Sequence, residues 1–216
     1  MKKIQFAVLL LLLTSAGWAQ DNTENLPFVF GPMAGLNVSR LVTKVNSDGV
    51  YDFKSRDRVG FHAGFFARFP FKRWYVQPEI ICSMKGGRGQ YYLANDPRMD
   101  PIQYKQKVNI MAVDMPLLVG YNLGKTFLNF RVFTGPVIGY TMSEKTIIEP
   151  DGYNPPETYN MNIKDAIWSW TGGLGLDVWK FSLDIRYERG LHDVSWNPNF
   201  KQVPSSFMFT IGLKTL

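Results

Sequence analysis

Apolar and polar side chains alternate residue by residue through most of the chain after residue 20, and this period of two limits the fold more than any other feature. Between residues 59 and 69, Val59, Phe61 and Phe65 fall on one face, while His62 and Arg68 fall on the other. Successive side chains of a β-strand point to opposite faces, whereas a helix repeats about every 3.6 residues. The pattern therefore predicts an all-β fold.

Eight segments follow this alternation, and the connections between them alternate between short and long. The segments cover about residues 28–38, 59–69, 74–85, 111–121, 128–140, 168–178, 181–188 and 206–214. Tight links occur around Pro70, at Asn122–Lys125 and at Trp179, and the other links are about a dozen residues or longer. Outer-membrane barrels have short periplasmic turns and long extracellular loops, with both chain ends on the periplasmic side when the strand number is even.

Charge is confined to one face of these segments. From the second to the eighth segment, the apolar face carries no Asp, Glu, Lys or Arg. The opposite face carries three arginines and five carboxylates, which are Arg68, Glu79, Asp114, Arg131, Asp177, Asp184, Arg186 and Glu188. A lipid-facing cation costs about 2–4 kcal/mol at the membrane midplane, whereas a soluble barrel would carry its charges outside. The sequence therefore predicts an eight-stranded antiparallel transmembrane β-barrel; an aromatic-cored β-sandwich is the alternative.

The inward charges define a polar network in the predicted lumen. An eight-stranded barrel has an interior just wide enough to be filled by side chains, and buried charges must be paired. We predict a salt-bridged plug, with a narrow ion path as the alternative.

Aromatic residues and prolines add two expectations. Trp74, Tyr121, Phe127, Trp179 and Phe181 lie next to the tight links and predict a periplasmic aromatic girdle. Four prolines fall inside the predicted strands, where each removes a ladder donor, and they predict bulges or bends at Pro32, Pro78, Pro116 and Pro136.

The first residues predict export. Lys2 and Lys3 precede the apolar run Ile4–Ala16, and Gly17-Trp18-Ala19 offers a cleavage site. The run is shorter than the roughly 20 residues of a membrane-spanning helix. We therefore expect residues 1–19 to be a cleaved signal peptide and residues 20–216 to form one barrel domain. The formal charge of +6 includes both lysines of the leader, and no basic cluster indicates nucleic acid.

Residues suited to catalysis or metal binding are few. His62 and His192 are the two histidines and Cys82 is the single cysteine, so no disulfide, metal site or cofactor is expected. His62 points to the lumen face, where a hydrogen-bonded histidine is expected. His192 lies beside Asp193, with Ser195 two residues further on, which leaves a lipid-modifying enzyme as an alternative to a barrel without catalytic activity. The glycines of residues 86–89 predict the start of a flexible loop.

The long connections carry the residues most suited to contacts with other molecules. Tyr91 and Tyr92 in one predicted loop, and Tyr153 and Tyr159 in another, are aromatic side chains set among prolines. Exposed loop aromatics are typical contact residues. The alternative is that they pack on one another over the barrel mouth.

Four motifs resemble the PorT-like outer-membrane β-barrel family. They are the segments Trp74–Gly87, Ala112–Leu118, Phe133–Pro136 and Leu183–Tyr187, and their order and spacing cover most of the chain. The resemblance implies an eight-stranded barrel in the outer membrane of a Gram-negative bacterium, and some relatives are accessory to protein secretion. We therefore expect a structural or accessory role in secretion or outer-membrane assembly. The expected partners are outer-membrane lipid and other outer-membrane or secretion-system proteins, and a narrow pore is the alternative.

Overall fold

The computed structural model describes residues 28–45, 50–93, 102–124, 128–150, 157–159, 166–192 and 200–215. No helix among these residues is long and apolar enough to cross a membrane. The strands are β1 Val29–Val45, β2 Val50–Arg56, β3 Arg58–Phe71, β4 Trp74–Leu93, β5 Ile102–Asn122, β6 Leu128–Pro150, β7 Glu157–Tyr159, β8 Ala166–Val178, β9 Phe181–Gly190 and β10 Phe200–Leu213.

The strands form a closed barrel. All pairings are antiparallel and follow the order β2-β4-β3-β1-β10-β9-β8-β6-β5, and a further pairing between β4 and β5 closes the sheet. Strands β2 and β3 lie one after the other along β4 and occupy a single position in the wall, while β7 pairs with the outer part of β6. The wall therefore has eight positions, in the order β3, β4, β5, β6, β8, β9, β10 and β1, and the predicted fold class is confirmed.

The two faces of the wall are oriented as the alternation predicts. Phe65 and Leu174 on the apolar face expose 68% and 63% of their surface, whereas His62 and Thr171 on the other face expose 1% each. An apolar outer wall and a polar interior are the reverse of the arrangement in a soluble barrel. Because hydrocarbon chains solvate the outer wall, exposed Phe and Leu cost nothing there.

The strands extend further than the alternation predicts, and they replace much of the expected loops. Gly86–Gly89 continue β4 rather than starting a flexible loop, and Tyr91 and Tyr92 pair with Tyr104 and Gln103 of β5. Tyr159 lies on β7, and Tyr153 lies outside the described residues. The expectation that Tyr91, Tyr92 and Tyr159 lie in loops is wrong. The backbone pairing between strands continues past the point at which apolar and polar residues stop alternating in the sequence.

The prolines interrupt the ladder without shifting its register. Two ladder pairs are missing beside each of Pro32, Pro78, Pro116 and Pro136, and the register is the same on both sides of each gap. Register shifts lie instead between Tyr51 and Lys54 and between Met111 and Ala112. The predicted bulges at the prolines are therefore wrong, because a proline removes one donor and the surrounding ladder holds the strand in place.

Two turns with left-handed backbone close the hairpins β3–β4 and β8–β9. Lys72 has a φ of 59° and Trp179 a φ of 52°, the region that short hairpin turns require. These turns bring the predicted aromatic girdle to one end of the barrel, where the Trp74 ring lies 5.0 Å from the Tyr121 ring in an edge-on contact. Trp179 and Phe181 are exposed at the same end, and Phe127 lies outside the described residues.

The cross-strand register sorts the outward side chains of β8, β9, β10 and β1 into levels. The outermost level, which we call the rim level, consists of Trp170, Arg189, Ser205 and Arg40. Below it, the outward residues of β9 and β10 are uncharged as far as Phe181 and Leu213. From Ser205 to Leu213 the strand rises about 27 Å at about 3.4 Å per residue. With a tilt of about 40°, this corresponds to a belt of about 20 Å, close to the apolar band of outer-membrane barrels.

We predict that Leu174→Arg, halfway down this belt, lowers the free energy of unfolding by about 2–4 kcal/mol, because it places a cation in hydrocarbon. Leu213→Arg, at the tight-turn end, is the matched control and should cost about 0–1 kcal/mol. Denaturant titration of the protein folded into phospholipid vesicles measures both. Equal losses for the two variants would contradict the assignment of the belt.

Candidate functional site in the barrel lumen

Eight charged residues that the sequence places on the inward face all lie in the lumen. Arg68 is on β3, Glu79 on β4, Asp114 on β5 and Arg131 on β6, and Asp177 follows on β8. Strand β9 contributes the other three charges, at every second position. Each of the eight is buried, with 1–7% of its surface exposed; the set is Arg68, Glu79, Asp114, Arg131, Asp177, Asp184, Arg186 and Glu188.

Three ion pairs cross the full width of the barrel. Strands β4 and β9 are four positions apart in the eight-position wall, and so are β3 and β8. Arg186 Nη1 lies 2.6 Å from Glu79 Oε2, and Arg68 Nη1 lies 2.6 Å from Asp177 Oδ2. Lys85 Nζ lies 2.8 Å from Glu188 Oε1. These pairs join opposite walls at successive heights and divide the lumen.

Arg131 is the centre of the network at the tight-turn end. Its Nη2 lies 2.6 Å from Asp184 Oδ1 and 3.0 Å from Asp177 Oδ1, and its Nη1 donates to the Tyr75 hydroxyl at 3.1 Å. The guanidinium also lies 5.7 Å from the centre of the Tyr75 ring. Ion pairs, a hydrogen bond to a neutral hydroxyl and a cation–π contact together replace most of the water that this buried side chain has lost. The buried Nε has no hydrogen-bond partner among the described residues.

Glycines make room for these large side chains. A Cβ at position 175 would lie 2.6 Å from Arg131 Nη2, and a Cβ at position 120 would lie 2.1 Å from the Tyr75 ring. Larger residues at Gly175 or Gly120 would displace the guanidinium or the phenol. Close approach to the network therefore explains these two glycines, which the alternation alone leaves unexplained.

Two lysines complete the charge balance. Counting three arginines against five carboxylates leaves two negative charges without partners. Lys85 Nζ lies 2.8 Å from Asp114 Oδ2 as well as near Glu188, and Lys214 Nζ lies 3.8 Å from Asp177 Oδ2. Five cations then face five carboxylates in the lumen salt bridges. Lys85 lies on the inward phase of β4, and Lys214 follows the end of β10 in the inward phase of that strand. This phase is the sequence signal that would have included both lysines in the predicted network.

Lys85 and its carboxylates form the upper end of the network. Asp114 also accepts a hydrogen bond from Ser83 at 2.6 Å. Above them lies a cavity of about 40 Å³, which is also lined by Ser39, Ser169 and Ser206. The Ser206 hydroxyl is buried and has no hydrogen-bond partner among the described residues. The cavity holds a few water molecules at most, because each needs about 10–15 Å³ measured in this way.

Apolar side chains fill the space around the charges. Met33, Phe66 and Ile81 form one inward cluster, and Tyr75, Leu118 and Phe133 form another. The sequence prediction missed most of these residues because they stand on the face otherwise occupied by polar and small residues. No signal in the alternation separates an inward apolar residue from a local break in the pattern.

Neither histidine forms an ion pair among the described residues. His62 is 1% exposed, and its Nε2 lies 2.9 Å from Thr210 Oγ1, whereas its Nδ1 has no partner among the described residues. His192 is exposed just beyond β9, and Asp193 and Ser195 lie outside the described residues.

The closed barrel, the apolar belt and the polar lumen define a transmembrane β-barrel of the outer-membrane class. Residues 18–195 match the family described as the outer membrane protein beta-barrel domain. The chain therefore belongs to this family, and the outer membrane is its location. No curated protein sequence gives a significant match.

Solved structures of three outer-membrane proteins are similar to the chain. Ail of Yersinia pestis, in complex with the heparin analogue sucrose octasulfate, is 14% identical, with a TM-score of 0.45 over 88% of this chain and 100% of that chain. OprG of Pseudomonas aeruginosa is 13% identical, with a TM-score of 0.48 over 88% and 97%. Neisserial surface protein A is 9% identical, with a TM-score of 0.36 over 86% and 97%. At these values the similarities say nothing about what this chain binds.

We predict that Arg186→Gln lowers the free energy of unfolding by about 3–5 kcal/mol, because it leaves the buried Glu79 carboxylate without its partner. Adding Glu79→Gln should recover part of this loss, because the double variant removes both charges. Arg40→Gln is the surface control: Arg40 pairs with Asp57 at 2.6 Å, with both side chains about half exposed, and its loss should cost about 0–1 kcal/mol. The same vesicle titration measures all three, and a similar cost for Arg186→Gln and Arg40→Gln would refute a buried network.

Proposed function

We propose that this protein is a non-conducting barrel without catalytic activity that anchors an extracellular β-sheet for contact with a partner protein. The partner would belong to the outer membrane or to the secretion machinery, and the role would be accessory to secretion or outer-membrane assembly. The observation that carries the proposal is the filled lumen, which directs function to the ends of the barrel.

The lumen supports a plug rather than a channel. The three crossing ion pairs lie at different heights, so a hydrated ion moving along the axis would have to break each pair in turn. Breaking one pair leaves two charges that are almost completely removed from water; the side chains of Glu79 and Arg186 are 0% and 2% exposed. Such a step costs several kcal/mol. A steady passage for ions is therefore unfavourable while the pairs remain.

The outer ends of the strands supply the contact surface. Strands β2, β4, β5, β6 and β7 continue above the apolar belt as a sheet, with β4 and β5 paired as far as Leu93 and Ile102. Strand β7 pairs with β6 along one edge, and no described strand pairs with its other edge. Strand β2 pairs with β4 along one edge, and its other edge lies near β1 without a ladder between the two strands. An exposed sheet edge can bind an extended segment of another protein through main-chain hydrogen bonds.

The two alternative functions would require different residues. A narrow channel would require the crossing pairs to exchange, and a lipid-modifying enzyme would require His192 to work with Asp193 and Ser195 at the mouth. Loss of an enzymatic product after His192→Ala would favour the enzyme. An unchanged lipid profile of the host membrane would remove the remaining support for it.

We predict that the folded full-length protein gives no steady single-channel conductance in a planar lipid bilayer. The variant Glu79→Ser with Arg186→Ser removes one crossing pair without leaving either charge, and it should remain silent because the other two pairs still divide the lumen. Replacing all six residues of the three crossing pairs by serine should give a measurable conductance, because small hydroxyls leave room for water. Arg40→Gln should remain silent, like the unchanged protein. A steady conductance of the unchanged protein would overturn the plug.

We predict that a stoichiometric partner co-purifies with the tagged chain after gentle extraction from its native outer membrane. Replacing residues 90–105 by an Asn-Gly turn should abolish this association, because it removes the outer part of the β4–β5 hairpin and leaves the belt intact. An unboiled gel lane checks that each barrel is folded.

The matched control changes the opposite end of the barrel by replacing Lys72 and Arg73 with Asn-Gly. This variant should retain the partner. Loss of the partner with the turn variant alone would place the contact on the periplasmic side. A folded barrel that is always recovered alone would contradict the accessory role.

A further inference from the structure

An open groove interrupts the lipid-facing wall just below its outer boundary. It has a volume of about 640 Å³ and is lined by Trp170, Gly172, Tyr187, Arg189, Gly190, Leu191 and Val203. Small-ligand sites have volumes of about 300–1,000 Å³. The groove lies on strands β8, β9 and β10, away from the sheet extension and the lumen network.

The register explains the groove. Gly172 lies opposite Tyr187, and Trp170 lies opposite Arg189. Gly172 therefore leaves a gap between exposed aromatic side chains, one level below the rim. A Cβ added to Gly172 would have its nearest neighbour at 3.6 Å, so the gap opens outward and is not filled by other side chains.

One wall of the groove is held in place. The Trp170 indole N–H donates to Thr134 Oγ1 at 2.8 Å, and the Thr134 hydroxyl donates to the Thr171 carbonyl at 2.9 Å. Because the indole orientation is fixed by these bonds, the groove exists before anything binds. A preformed site avoids the cost of ordering its side chains on binding.

Arg189 supplies a charge at the upper end that has no partner in the part of the chain that the structure describes. Arg189 and Arg40 both pair with Ser205 in the ladder, from opposite sides, so they occupy the same register position on the outer wall, two strands apart. The Arg40 guanidinium is bound to Asp57 by two hydrogen bonds, of 2.6 and 3.0 Å. Arg189 is exposed and has no ion pair or hydrogen bond among the described residues.

We propose that this groove binds a phosphate-bearing lipid of the outer leaflet. The Arg189 guanidinium holds the phosphate at the rim level, and one acyl chain lies over Gly172 between Trp170 and Tyr187. Arginine matches phosphate through paired hydrogen bonds, and aromatic rings at this depth suit the boundary between headgroup and hydrocarbon. The site is independent of the proposed partner contacts, which use the strand extension.

The test is native mass spectrometry of the folded full-length protein in mild detergent, titrated with bis-phosphorylated lipid A and with its dephosphorylated form. We expect the phosphorylated lipid to bind at a defined stoichiometry and the dephosphorylated lipid to bind at least about tenfold more weakly. Arg189→Gln should weaken the first interaction by a similar factor. Gly172→Leu should weaken binding of both lipids, because the new side chain fills the groove without striking the backbone.

Arg40→Gln is the matched control, since it removes an arginine from the same level that is already paired, and its binding should equal that of the unchanged protein. If Arg40→Gln and Arg189→Gln weakened binding of the phosphorylated lipid equally, the effect would come from the general positive charge of the surface. That result would overturn the site. Equal binding of the two lipids, or displacement of the lipid by millimolar inorganic phosphate, would overturn it as well. Partner co-purification should be unaffected by Gly172→Leu, so the two proposals fail separately.

Discussion

The pairing of charges inside the barrel is the constraint on which the rest of the structure depends. A wall that faces hydrocarbon must be apolar outside, so the charges of the strands are left to the lumen, where water cannot solvate them fully. Each is then tolerable only beside an opposite charge. Strand β9 makes this visible, because its outward positions carry Ile185 and Tyr187 while its inward positions carry Asp184, Arg186 and Glu188.

The same paired charges fill the lumen, so it is not an open pore. Salt bridges such as Glu79–Arg186 span the whole diameter, so the network holds opposite walls together as well as filling the space between them. Buried ion pairs are weak evidence for net stability, since desolvation offsets much of their attraction. Their consequence here is specificity: a slip by one residue in any strand that carries a lumen charge would turn that charge toward lipid and leave its partner alone.

With the lumen filled, the surfaces that remain for binding are the outer sheet and the lipid-facing wall. The two surfaces carry different binding groups and so suit different kinds of molecule. The extension above the belt presents unpaired main-chain edges at β2 and β7, which suit another polypeptide. The groove at Gly172 presents the Arg189 guanidinium, which has no partner among the described residues, above a gap between aromatic rings at the depth of the headgroups. This arrangement suits a phosphate-bearing lipid. Neither surface requires the lumen to open, and both are set by the register of neighbouring strands.

The sequence by itself determined the fold class, the orientation of the faces and the inward position of all eight predicted charges, because alternation and charge exclusion are local properties of each strand. Tertiary structure decided which charges meet, since Glu79 and Arg186 are far apart in the chain and become partners only when the barrel closes. It also decided that Lys85 and Lys214 neutralise the remaining lumen carboxylates and that Tyr91 and Tyr92 continue strand β4. It showed that four prolines interrupt the ladder without a bulge, and that Arg40 has an ion-pair partner whereas Arg189 has none among the described residues. Those outcomes follow from register and closure, which no single segment specifies.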